Sequence, residues 1–180
     1  MIIANRLKDT NRAEFLLYMW QIEDILRVYG CDADRIDSEY LSKFNISEEE
    51  HTRSLKWYEE LCEMMRTEGV QNSGHLQINK NVLLTLEELH DQLIKSTKFP
   101  YYHQMYYKVL PYIVELRRKG NGVSTSDLEI CFEALYGILL LKLKNQELSE
   151  ETLTAKKYIS MWLGQLSDYY FKDISILLDD

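Results

Sequence analysis

The sequence predicts an all-α fold: a single-domain bundle of six to seven helices with two largely buried central helices. Seven glycines and two prolines in 180 residues leave few turn-forming positions, which favours long helices joined by short connections. Apolar residues recur at helical spacing, most densely in residues 15–29, FLLYMWQIEDILRVY. This segment is apolar on nearly every side, as expected for a helix with neighbours on several flanks. It is therefore predicted to be one of the central helices.

The first two helices have recognisable ends. Thr10 or Asn11 is expected to be the N-cap of the first helix, since both side chains can accept a hydrogen bond from a free backbone N–H. Gly30 is expected to end this helix, and Asp32 to cap a short second one.

The third helix is marked by a capping box, Ser47 with Glu50 three residues later, and by Gly69 at its end. Residues 70–74, VQNSG, are the most loop-like stretch in the middle of the chain. They could weakly divide the chain, but they are too short to separate independent domains. Residues 1–180 are therefore predicted to be one helical domain.

Four more helices are predicted in the second half. The fourth covers roughly residues 76–98, and Pro100 suits the first turn of the fifth. The sixth contains CFEALYGILLLKL, residues 131–143, and is predicted to be the second central helix. Because Gly137 in its interior lowers helix stability, a close approach of a neighbouring helix is expected there. Ser149 is expected to cap the seventh helix.

The composition argues against several classes of function. The net charge is −8 and no basic face offsets it, so no nucleic-acid partner is predicted. Neither a basic amphipathic segment nor a membrane-spanning apolar run is present, so no membrane partner is predicted. Cys31, Cys62 and Cys131 lack paired spacing and are typical of reduced core thiols in a cytoplasmic protein. Phosphate-binding loops, zinc-protease motifs and hydrolase nucleophile motifs are absent, and no cofactor or catalytic residue is predicted.

Trp20, Glu23 and Arg27 form the first candidate binding surface. Glu23 and Arg27 are four residues apart in the order that favours a helical ion pair, and they lie between apolar patches beside Trp20. One interpretation is a recognition pair at the edge of a pocket. The alternative, which the sequence favours, is a structural pair that fixes the helix register.

Tyrosines of the predicted fifth helix form the second candidate surface. Its apolar residues cover more than one face, and tyrosine is enriched at interfaces because its body is apolar and its tip polar. Tyr102, Tyr106 and Tyr107 are predicted to line a pocket or a homodimer interface, with ordinary bundle core as the alternative.

A di-metal site is the enzymatic alternative. Two E-x-x-H sequences, Glu48–His51 and Glu87–His90, place a carboxylate and an imidazole on one helix face. Two such pairs plus two further glutamates, here Glu23 and Glu133, would supply the ligands of a ferritin-like oxidoreductase. Against this, Glu48 lies in a first helical turn, and His51 and His90 fit neutral histidines that are hydrogen-bonded at the core edge.

Residues 13–27, AEFLLYMWQIEDILR, resemble the opening of an uncharacterised family of cytoplasmic proteins from Bacteroides-type bacteria. LYMWQIED is the specific part of the resemblance, which extends over most of the chain. It implies an all-helical fold and a bacterial host, and it supplies no activity and no site residues. The sequence therefore favours a non-enzymatic, cytoplasmic interaction or small-ligand-binding protein that forms a homodimer.

Overall fold

The computed structural model describes residues 2–119 and 125–172, which form eight α-helices, one short 3-10 helix and no strand. The helices are α1 (Ile2–Thr10), α2 (Arg12–Val28), α3 (Ala33–Glu39), α4 (Glu48–Thr67), α5 (Gln77–Lys95), α6 (Pro100–Lys119), α7 (Asp127–Leu143) and α8 (Glu150–Tyr170). The all-α prediction is confirmed, but the predicted number of helices is too low. No helix in the described ranges has the length and apolar character needed to cross a membrane.

The predicted helix boundaries are largely confirmed. In each N-cap the side chain accepts a hydrogen bond from the backbone N–H three residues later, at Asn11, Asp32, Ser47 and Ser149. Gly30 and Gly69 follow α2 and α4 with φ angles of +67° and +69°, a left-handed conformation that glycine adopts without steric cost.

The additional helix is α1, which precedes the first helix predicted from the sequence. Its Ala4 and Leu7 are buried, and its other described side chains are exposed. A nine-residue helix is marginal by itself, so packing against α2 is what stabilises it.

The buried residues form two clusters, and α2 contributes to both. The N-terminal core combines Met19, Ile22 and Leu26 of α2 with residues of α1, α3 and α4. The C-terminal core combines Leu16 and Trp20 of α2 with residues of α5, α6, α7 and α8. The central position predicted for α2 follows from this double role.

The second predicted central helix, α7, packs against α2, α5, α6 and α8. The close approach expected at Gly137 is wrong, because a Cβ added there would meet no atom within 4 Å. Gly137 instead lines an open space between α6, α7 and α8.

Candidate functional site

Glu23 is completely buried in α2 and binds the start of α5. Its Oε1 accepts hydrogen bonds from the Leu76 backbone N–H (2.8 Å) and from Nδ2 of Asn79 (2.6 Å). Its Oε2 lies 2.6 Å from Nδ1 of His75, whose N–H donates to the carboxylate. Leu76 is the N-cap of α5 and has no side-chain acceptor of its own. Glu23 therefore caps a helix more than fifty residues away, where the helix dipole also favours a negative charge.

The ion pair predicted between Glu23 and Arg27 is wrong. Nη1 of Arg27 binds Asp24 at 2.7 Å, and Nη2 donates to the backbone carbonyls of Val70 and Gly74. The two side chains diverge because Glu23 is drawn to the N–H groups of α5 and Arg27 to the carbonyls of residues 70–74. Arg27 thus fastens the α4–α5 connection to α2, which agrees with a structural role.

Trp20 is packed inside the bundle and is only 4% exposed. Its ring stacks on His75 with centroids 4.2 Å apart, and it contacts Phe132 and Tyr136 edge-on. The Tyr136 hydroxyl donates to Asp24 at 2.5 Å, which ties α7 to α2 on the same side. Trp20 therefore serves as core and does not offer an open binding face.

The three tyrosines predicted to share a surface do not share one. Tyr102 is completely buried, which agrees with the bundle-core alternative, and its hydroxyl lies 2.7 Å from Nδ1 of His90. Tyr106 is half-buried and donates to Asp127 at 2.6 Å. Tyr107 is 64% exposed. Tyr102 faces inward because the rings of Trp162 and Tyr169 on α8 pack against it.

Each of the four histidines contacts a polar partner; the hydrogen bond expected at His90 is confirmed, whereas His51 forms an ion-pair contact with Asp37. The pairs are His51 with Asp37, His75 with Glu23, His90 with Tyr102, and His103 with the Leu93 carbonyl. Burial lowers the pKa of His90 and so favours its neutral form.

The predicted di-metal site is not assembled. Glu48 and Glu133 are exposed, His51 binds Asp37, and Glu87 accepts a hydrogen bond from Ser126. No group of three or more His, Cys, Asp or Glu side chains in residues 2–119 and 125–172 is arranged to hold a metal ion. The six predicted ligands do not converge because Glu48 and Glu133 are exposed, whereas the other four contact different partners: Glu23 with His75, His51 with Asp37, Glu87 with Ser126 and His90 with Tyr102. The ferritin-like hypothesis therefore has no support.

A cavity of about 320 Å³ lies where α1, α2, α4 and α5 meet. Its polar lining residues are Asn5, Lys8, Arg12 and Asn79, and we call it the Asn79 cavity. Its larger apolar lining residues are Phe15, Met19, Trp57, Leu61, Ile78 and Val82.

Asn79 is a buried residue of this cavity with an unpaired oxygen. It is 1% exposed, and its Oδ1 is buried without a hydrogen-bond partner. Because the Glu23 carboxylate only accepts hydrogen bonds, the Asn79 amide must turn Nδ2 towards Glu23 and Oδ1 away from it. An unpaired buried carbonyl oxygen costs about 1–3 kcal/mol of folding free energy.

Arg12 gives the cavity a fixed positive charge. Its Nη2 donates to the Tyr170 hydroxyl at 2.9 Å, and its guanidinium lies over the rings of Tyr170 and Phe15 at 4.8 and 5.7 Å. Its Nε is buried without a hydrogen-bond partner. Lys8 adds a second positive charge at an exposed position. Within the described ranges, neither side chain lies within ion-pair distance of a carboxylate.

The polar residues of this site were not predicted from the sequence. Asn79 falls on the same helical stripe as Val82, Leu83 and Leu86, and a polar residue in an apolar stripe is a signal for a buried hydrogen bond. Leu76 at the start of α5 was a second signal, because a helix start without a capping residue needs an acceptor from elsewhere. Lys8 and Arg12 are only four residues apart, but no local pattern shows that residues of α4 and α5 complete the cavity beside them.

Comparison with known proteins gives a family and no activity. No curated protein and no solved structure matches the chain. The model of a domain of unknown function, DUF4924, matches residues 1–175, and it covers α1 to α8. The chain therefore belongs to the DUF4924 family.

Proposed function

We propose that this chain is a non-enzymatic helical protein that binds a small organic ligand in the Asn79 cavity. The observation that carries the proposal is the buried Asn79 oxygen, which has no partner and belongs to a residue of the cavity wall. A ligand N–H or O–H group that reaches this oxygen would give it a hydrogen-bond partner.

The size and lining of the cavity support binding. Its volume of about 320 Å³ is at the lower end of the range for small-molecule sites, roughly 300–1,000 Å³. The lining is mostly apolar with a few polar groups, as is usual for such sites. Its described lining residues include no histidine, cysteine, aspartate, glutamate or serine, so the cavity itself offers no ordinary acid–base pair or activated hydroxyl or thiol. These features favour binding over catalysis.

Calorimetric titration with the dye anilinonaphthalene sulfonate tests the proposal. The dye has an aromatic body, an N–H donor and a negative charge, and we expect one molecule to bind per chain. Val82→Phe should abolish this binding, since Val82 lines the cavity and the larger ring fills it. Val28→Phe makes the same change at a 72% exposed position of α2 outside the lining and should leave binding intact. Should Val82→Phe not fold, Asn5→Trp at the exposed rim replaces it. Absence of binding, or equal binding by the filled variant, would refute the proposal.

We also propose that the protein forms a homodimer through the exposed face of α6. Tyr107 and Val114 are seven residues apart, exposed by 64% and 41%, and Pro111 lies exposed between them. An apolar stripe of this kind favours a protein partner. Sedimentation velocity should show a dimer that Tyr107→Ala weakens and that Phe44→Ala, at a 50% exposed position elsewhere, does not. A wild-type monomer at all concentrations would reject the dimer.

A cytoplasmic location remains part of the proposal. Its support is that Cys31, Cys62 and Cys131 are all free and buried, as expected where thiols stay reduced.

A further inference from the structure

We propose that the ligand of the Asn79 cavity is a small aromatic anion, such as a carboxylate, sulfonate or phosphate ester, that also carries an N–H or O–H donor. This inference rests on the proposed function and specifies the chemistry of the same site. Three features of the lining support it: its charge, the arrangement of Arg12 and the shape of the apolar walls.

Charge gives the first argument. Lys8 and Arg12 are the only charged residues among the lining residues of the described cavity, and both are positive. The chain as a whole carries a net charge of −8, so this cavity differs in sign from the average surface. Most other arginines of the described ranges pair with carboxylates, including Arg27, Arg66 and Arg117. A cavity with two cations and no carboxylate is complementary to an anion.

The arrangement of Arg12 gives the second argument. The rings of Phe15 and Tyr170 and the hydrogen bond to the Tyr170 hydroxyl hold the guanidinium in one orientation. Nε is buried without a hydrogen-bond partner, so the guanidinium keeps one unused N–H donor. A guanidinium that is already oriented loses less conformational entropy on binding than a free side chain, which increases the affinity for a planar or tetrahedral oxyanion.

The walls and the position of Asn79 give the third argument. Phe15 and Trp57 contribute aromatic surface, which suits the flat body of an aromatic ligand. Asn79 is 1% exposed whereas Lys8 is exposed, so the donor of the ligand belongs at the buried end of the cavity and its anionic group near the rim. The ligand is therefore polar at both ends and apolar between them.

A matched pair of dyes separates this inference from the proposed function. Anilinonaphthalene sulfonate and phenylnaphthylamine share the two ring systems and the N–H, but only the first carries a negative charge. We expect the neutral dye to bind about tenfold more weakly, and Lys8→Glu to weaken sulfonate binding about tenfold while leaving neutral-dye binding within about twofold. Lys157→Glu makes the same charge change at an exposed position of α8 outside the lining and should alter neither affinity.

The outcomes distinguish the two claims. If both dyes bind with equal affinity, Lys8→Glu has no effect and Val82→Phe removes both, the cavity binds ligands but the anionic class is wrong. If neither dye binds, or if Val82→Phe leaves both bound, the proposed function itself is wrong. Weakening of sulfonate binding by added salt, without a change for the neutral dye, would support the anionic class.

Discussion

Replacement of Glu23 by alanine tests the structural role that its contacts assign to it. The carboxylate accepts hydrogen bonds from Leu76, Asn79 and His75 at 2.8, 2.6 and 2.6 Å, and it is completely buried. The alanine variant would leave the Leu76 N–H and the Asn79 amide buried without an acceptor. Each unpaired group costs about 1–3 kcal/mol, and α5 also loses the negative charge at its N-terminus. We expect the free energy of unfolding to fall by about 3–5 kcal/mol.

Two further variants make the magnitude interpretable. Glu23→Gln keeps the shape and one acceptor oxygen, so we expect a smaller loss of about 1–2 kcal/mol. Glu59→Ala removes an exposed glutamate of α4 and should change stability by less than about 0.5 kcal/mol. Urea unfolding followed by circular dichroism measures all three, and hydrogen exchange of the Leu76 amide gives an independent local readout. If Glu23→Ala is no more destabilising than Glu59→Ala, the capping role is refuted.

Three other predictions follow from particular environments. Gly137→Ala should raise the free energy of unfolding by about 1 kcal/mol, because alanine favours the helix more than glycine and the added Cβ meets no atom within 4 Å. A lower free energy of unfolding in urea would show that the space beside Gly137 is filled. Burial lowers the pKa of His90, so the unfolded chain binds a proton there more readily and stability should fall as the pH drops below about 6.5. His90→Gln should make the free energy of unfolding, measured by urea titration, depend less steeply on pH in this range. An unchanged pH dependence would contradict the role of His90. Burial raises the pKa of Cys62 to about 12, and Cys31 and Cys131 are also buried. Intact mass should therefore show no alkylation by iodoacetamide of the native protein at neutral pH and three modifications in urea.

Features encoded by neighbouring residues could be predicted from the sequence. The capping box at Ser47 and the left-handed glycine at Gly69 depend on positions within one or two helical turns, and both are confirmed. The central position of α2 follows from apolar residues on several of its faces. Helix α1 was not predicted because it has only nine residues, too few for a helix to be stable without packing against a neighbour such as α2.

The partners of Glu23 could not be found by a local rule. The i, i+4 spacing predicts an ion pair between Glu23 and Arg27. This rule takes no account of hydrogen-bond donors from distant parts of the chain that compete for the Glu23 carboxylate. The buried N-terminal end of α5 needs a hydrogen-bond acceptor. The Leu76 N–H and the Asn79 amide both donate to Oε1 of Glu23. Competition with a distant helix end therefore decided where this carboxylate points.

The candidate site is non-local for the same reason. The cavity requires α1, α2, α4 and α5 to meet, and its charge requires Lys8 and Arg12 to lie on either side of the break between α1 and α2. The sequence favoured small-ligand binding in general, but it assigned that role to Trp20 and to tyrosines such as Tyr102. Both residues are buried in the core. The sequence could not distinguish the two roles because aromatic side chains are common both at interfaces and in protein cores.

A crystal structure of the chain with anilinonaphthalene sulfonate is the most direct test of the central claim. The account predicts one dye molecule in the Asn79 cavity, with its sulfonate beside Lys8 and Arg12 and its N–H donating to Oδ1 of Asn79. A dye bound at another surface, with this cavity empty, would contradict the account.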